Sequence, residues 1–298
     1  MNVLLPLAYA FFIWWFSTGA IMAVYGRSRV YVRLWFVAAT LISLAALAGL
    51  WWVRARGDEF AIYFSVTCGV VLWGWHTASF YLGFLSGPHP TLTAAQRGRL
   101  AHQPLMTRFW LGLRAVIHHQ LAVLLCLAVM IALLAGQPNL WGLWMFVALW
   151  VMHSSAQLSV FFGVRNFRIN FLPGHLHYLD ALFEKNRNNG YLMTSVTIAT
   201  SVGLYLLYRG INPIATPADR LGHLLVAAMV LLGVLESIIL VLPLPAVLWG
   251  WGVRLLPQDT AKDESPLALL TVTPPNPTTR TAHLAVRVPV ESVVESEG

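Results

Sequence analysis

Seven stretches of this chain are almost free of charge, at about 3–24, 31–53, 60–84, 111–136, 140–164, 191–208 and 220–243. Each is close to the roughly 20 apolar residues a helix needs to cross a hydrocarbon core of about 30 Å. The polar residues inside them do not alternate, as they would along barrel strands, and a helix satisfies every backbone N–H within its own segment. The pattern predicts an all-α polytopic membrane protein, a bundle of about seven transmembrane helices over 1–256.

Two longer polar intervals interrupt the bundle. Over 85–110, Pro88 and Pro90 in "SGPHP" stop the third helix. Over 165–190, Phe171, Leu172, Leu176, Leu179, Leu182 and Phe183 recur at helical spacing, with Asp180 and Glu184 on the other side. That stretch predicts a short helix lying in the membrane interface. Beyond Pro257 the chain turns rich in Pro, Thr and Ser, so 257–298 reads as a disordered cytoplasmic tail. No internal repeat is visible.

Composition agrees with the pattern. Hydrophobic residues make up 58% and charged residues 10% of the chain, and the mean hydropathy is +0.67. Soluble chains carry about 25% charged residues, so lipid must solvate this one. Lys and Arg are split unevenly: fifteen fall on one set of alternate intervals and four on the other. The basic side is cytoplasmic by the positive-inside rule, which puts the N-terminus outside and the C-terminus inside. The net charge of +7 is thereby assigned to topology and anionic headgroups rather than to nucleic acid. The first span lacks a basic leader and a small-residue cleavage site, so it is expected to be retained. Cys68 and Cys126 both lie in mid-span and form no metal motif; they read as small core residues.

The candidate chemistry is a set of polar residues placed where water is scarce. "AVIHHQLAVLL" holds His118, His119 and Gln120; "LWGWHTASF" holds His76 beside Trp75; "VMHSSAQLSVF" holds His153 and Gln157; Glu236 stands alone in the last span. Counting 1.5 Å per residue from the cytoplasmic ends places His118, Gln157 and Glu236 about 10 Å deep, His76 about 12 Å and His153 about 16 Å. Four helices thus set polar groups in one layer. His153 and Gln157 share a helix face, whereas His118 and His119 diverge by about 100°. Such groups usually face the bundle interior and pair with one another. The bland alternative is interhelical hydrogen bonding at around 1 kcal/mol each. Trp73, Trp75, Trp144 and Trp150 are deep enough to pack in the core or to line a planar ligand; Trp51, Trp52 and Trp141 fall in the aromatic belt. His175 and His177 lie at the interface and His223 near the outer end of the last span.

These motifs have an order. "FFIWWFSTGAI", "LWGWH" with "SF" and "GP" downstream, "HH-x-LA", "LWVM", "FLP-x-HL-x-Y" and "VLPLP" together resemble the PuhE-type family, the photosynthetic complex assembly protein 2 group of purple phototrophic bacteria. The resemblance runs from about residue 11 to 250. It implies a multi-pass protein of the bacterial inner or intracytoplasmic photosynthetic membrane, encoded with reaction-centre genes. Its expected role is to support assembly of the reaction centre and core antenna, with their subunits or other assembly factors as partners, and to modulate bacteriochlorophyll supply. The family pattern carries Glu at Thr77 and Gln120, Arg at His153, Lys at Gln157, Asn at Ser159 and His at Ser237. A His-and-Glu metal site of the di-iron kind would therefore be weakened here, with His76, His118, His119 and Glu236 retained.

Two functions follow as expectations. One is an assembly factor without catalytic residues that binds bacteriochlorophyll or a precursor through His76, His118, His119 and Trp75. The alternative is a membrane-embedded oxidase acting on a lipophilic substrate, with iron or another transition metal on His76, His118, His119 and Glu236. A transporter is disfavoured, because paired broken helices are lacking.

Overall fold

The computed structural model describes residues 3–86, 92–164, 172, 174–184 and 190–239. The expected tail over 257–298 lies outside the described residues. The described chain is all-helical: α1 (Leu4–Met22), α2 (Arg29–Val53), α3 (Glu59–Tyr81), α4 (Ala94–Ala101), α5 (Leu105–Leu134), α6 (Trp141–Phe161), α7 (Gly190–Ile211) and α8 (Pro217–Ile239), with a 3-10 segment at Gly174–Ala181 before α7.

The seven long helices coincide with the seven apolar stretches. Six of them are long and apolar enough to cross a membrane. The seventh, α3, has the length at 23 residues but carries Ser65, Thr67, His76, Thr77 and Ser79. It can do so because α1, α2, α5, α6 and α8 all pack against it and shield it from lipid. A shielded helix does not need a wholly apolar surface.

Local chemistry sets the helix ends. Ser28 accepts from the Tyr31 amide at the start of α2, and Asp58 accepts from the Ala61 amide at the start of α3. Arg56 grips the same Asp58 carboxylate with two bonds of 2.9 and 3.0 Å, and this contact holds the carboxyl below its ordinary range. Thr216 and Asp219 bond reciprocally where Pro217 opens α8.

Close backbone approaches fix the packing. A Cβ on Gly69 of α3 would stand 2.4 Å from the Gly142 carbonyl oxygen of α6, and one on Gly142 would stand 2.5 Å from the Ser65 carbonyl. Glycine at both positions lets the two backbones touch, the small-residue device of membrane helices. At the same contact the Gly142 amide donates to Ser65 Oγ at 2.8 Å. α7 packs on α8 in a similar way, with Gly203 and Gly210 facing Leu231 and Leu224.

Two regions depart from the sequence reading. Part of the 85–110 interval folds into α4, closed by a capping box between Thr93 and Gln96, and α5 begins at Leu105, six residues before the expected span. The helix predicted over 171–183 is a 3-10 segment whose Leu176, Tyr178 and Leu179 are buried with Phe80 and Ala115. Arg108 joins the start of α5 to the end of the 3-10 segment. It reads as a loop cation in the sequence, yet it is buried. Its guanidinium pairs with Glu184 and reaches the carbonyls of Leu182, Phe183 and Gln103, which ties the 3-10 segment to the early turns of α5.

Candidate functional site

The interior of the bundle, where α3, α5 and α6 meet, holds imidazole and aromatic rings in mutual contact. His76 and Phe80 lie one turn apart on α3, with Trp73 one turn earlier, so the three share a face. His119 of α5 packs its ring 6.2 Å from that of His76, centroid to centroid. Trp73 lies 6.3 Å from His119 and 5.3 Å from His153 of α6. Phe80 lies 5.0 Å from His119, and Phe146 of α6 lies 5.8 Å from both His76 and Trp73.

Burial and bonding separate the members of this cluster. His119 is 0% exposed and His76 3% exposed. Neither ring nitrogen of His119 has a hydrogen-bond partner, nor does Nδ1 of His76. His153 is satisfied locally, because the Gln157 amide donates to its Nε2 at 3.1 Å. Its ring also stands 6.2 Å from that of Tyr81. Buried polar atoms are paired nine times in ten or more, so three unpaired nitrogens on two neighbouring rings mark this spot within the described residues.

The remaining candidates are placed elsewhere. His118 is exposed on the outer side of α5, as its rotation of about 100° from His119 requires. Glu236 is exposed on α8. Trp75 donates its indole N–H to Thr40 Oγ1 at 2.9 Å, stacks on Phe36 and sets an edge against His76. The structure thus brings His76 and His119 together, seats Trp75 beside His76, and directs His118 and Glu236 to separate surfaces. Among the described residues no three His, Cys, Asp or Glu side chains are grouped closely enough to hold one ion.

This division also decides what each candidate can bind. His76 and His119 are walled by Trp73, Phe80 and Phe146, so a macrocycle would reach them only by displacing rings. His118 presents an open imidazole on the outer face. It shares that face with Trp110 and Arg114, which lie eight and four residues earlier and are both exposed. Leu121 and Leu125 continue the stripe at 56% and 68% exposure. The sequence reading missed Trp110, Arg114, Phe80 and Phe146. The spacing of four among Trp110, Arg114 and His118 was the available signal for the outer stripe.

A family model described as "Protein of unknown function (DUF3623)" matches residues 1–260. The chain is similar to a Rhodobacter capsulatus protein described as an uncharacterized 30.4 kDa protein in the puhA 5' region. The two are 28% identical over 263 residues, which cover 86% of this chain and 93% of that protein. No solved structure matches.

Proposed function

This chain belongs to the DUF3623 family of proteins of unknown function, and we propose that it is an assembly factor of the bacterial photosynthetic membrane that carries a chlorin pigment. In this reading it supports assembly of the reaction centre and core antenna and holds bacteriochlorophyll or a precursor on its lipid-facing surface. The N-terminus is periplasmic and the C-terminus cytoplasmic, following the bias of Lys and Arg. Two things support the photosynthetic setting: the puhA 5' region named for the Rhodobacter relative, and the resemblance of the motifs to the PuhE-type family.

The pigment part rests on one observation, the exposed stripe of Trp110, Arg114 and His118 on α5. The magnesium of a chlorin takes one neutral imidazole as axial ligand, and His118 offers an unobstructed one. Successive members of the stripe are about 6 Å apart along the helix. Trp110 provides an aromatic surface, and Arg114 has no ion-pair partner among the described residues. A guanidinium at this place favours a ligand bearing a free carboxylate, and hence an unesterified precursor over the finished, esterified pigment.

The test is purification of the full chain from a phototrophic host in mild detergent, followed by absorption spectroscopy and mass spectrometry of the extract. The reading expects a tetrapyrrole and reaction-centre or antenna subunits with the wild type, and loss of the tetrapyrrole in His118→Ala. A wild-type preparation without pigment and without those subunits overturns it.

A further inference from the structure

The pigment reading leaves the inward-facing rings unused. We infer that His76 and His119 form a buried two-coordinate site for one soft monovalent cation, Cu(I). The inference is independent of the pigment reading, which uses His118.

The first argument is the missing partners. His119 is wholly buried, and both of its ring nitrogens, with Nδ1 of His76, lack a hydrogen-bond partner. The second is distance. With metal–nitrogen bonds of about 2 Å and about 1 Å from each nitrogen to its ring centre, two imidazoles in line on one ion hold their centroids about 6 Å apart. The observed separation is 6.2 Å, with the ring planes at 74°.

The identity of the ion follows from what is missing around the pair. Zinc sites take at least three protein ligands and usually four, and iron and manganese favour added carboxylates. No third His, Cys, Asp or Glu joins these two among the described residues. Without a carboxylate nothing balances a double charge in a medium where each charge is costly. A single positive charge suffers less, imidazole suits copper, and Cu(I), with its filled d shell, accepts two nitrogens in line. The surrounding rings favour the same choice. Trp73, Phe80 and Phe146 exclude water from the pair, and aromatic faces attract cations.

The test uses the full chain in detergent, held under reductant without oxygen, loaded with Cu(I) and passed over a competing chelator. We expect about one copper retained per chain and an X-ray absorption edge typical of two-coordinate Cu(I). His76→Ala and His119→Ala should each reduce retention at least tenfold, whereas His102→Ala, at an exposed imidazole that caps α4, should leave it unchanged. His119→Met guards against a folding artefact: its thioether should restore retention with an altered edge. Background copper in the wild type would mean that ordered water fills the gap, and would overturn the site. So would undiminished retention in either alanine variant.

Discussion

Gln120 of α5 accepts a hydrogen bond from the indole nitrogen of Trp150 of α6 at 2.9 Å. The third polar residue of the "HHQ" triplet therefore works across helices and is separate from the imidazole pair. Such bonds contribute about 1 kcal/mol between membrane helices. Gln120→Leu should destabilise the bundle by about that amount, measurable as a lower melting temperature in detergent. Trp150→Phe removes the donor instead, and the double variant should lose less than the sum of the two single losses. Strictly additive losses would mean that the bond is not the cause.

The α3–α6 contact predicts a sharp contrast within one helix. A methyl on Gly69 meets the Gly142 carbonyl oxygen at 2.4 Å, whereas one on Gly74 meets nothing within 4 Å. Backbone cannot swing aside as a side chain can. Gly69→Ala should thus cost about 1–3 kcal/mol from overpacking, while Gly74→Ala should be neutral or gain up to about 1 kcal/mol of helix propensity. Thermal unfolding of the two variants side by side checks the order.

How much of this was legible beforehand depends on the length scale of the signal. The long helices declared themselves because spanning lipid demands a long apolar run, and their ends agree with the sequence reading to within a few residues at most boundaries. Short elements carry no such demand. α4 spans eight residues of mixed polarity, and only the Thr93–Gln96 box betrayed it. Arg108 misled the reading, since a cation outside an apolar run looks solvated until Glu184, 76 positions later, is seen beside it. The sequence put His76 and His118 in one layer, and the structure sets the ring of the adjacent His119 6.2 Å from that of His76. Depth, however, does not fix azimuth. It is His119 that turns inward, against Trp73 and Phe80, residues that the triplet itself does not reveal.

That long-range pair makes its own prediction. Arg108→Ala leaves the carbonyls of Leu182 and Phe183 and the Glu184 carboxylate without their donor. Breaking a fully buried pair costs about 3–5 kcal/mol. The Glu184 side chain keeps 32% of its surface exposed, so about 2–3 kcal/mol is expected after screening. The loss should be local: limited proteolysis should cut near 174–184 in Arg108→Ala well before the rest of the bundle opens. Arg108→Lys keeps the charge but not the fork of donors and should fall between. Cleavage at the wild-type rate would show that the segment is held by its apolar contacts alone.

The opposite end of the bundle tests whether one amide can close three helices. Asn139 is 2% exposed. Its side-chain amide donates to the carbonyls of Val53 and Ala61, each at 3.2 Å, and its backbone N–H donates to the Arg54 carbonyl at 3.1 Å. The last carbonyls of α2 have no partner further along the helix: Val53 accepts from the Arg56 N–H, and Asn139, in the α5–α6 turn, adds its side-chain amide to Val53 and its backbone N–H to Arg54. Asn139→Asp preserves shape but replaces the donor with an acceptor aimed at two carbonyl oxygens. Burial and these oxygens both disfavour the ionised form, so the new carboxyl should have a raised pKa in the folded chain. A group raised on folding contributes stability that is fully present below its unfolded pKa, about 3.9 for Asp, and that is lost as pH rises through the folded value. At neutral pH, Asn139→Asp should therefore melt well below the wild type, and acidification toward pH 4 should narrow the gap as the protonated acid regains one donor. Asn139→Leu has no proton to regain, and its deficit should stay constant over the same range. Parallel melting curves for the Asp and Leu variants at every pH would show that the lost volume or shape of the amide, rather than its donated bonds, carries the joint.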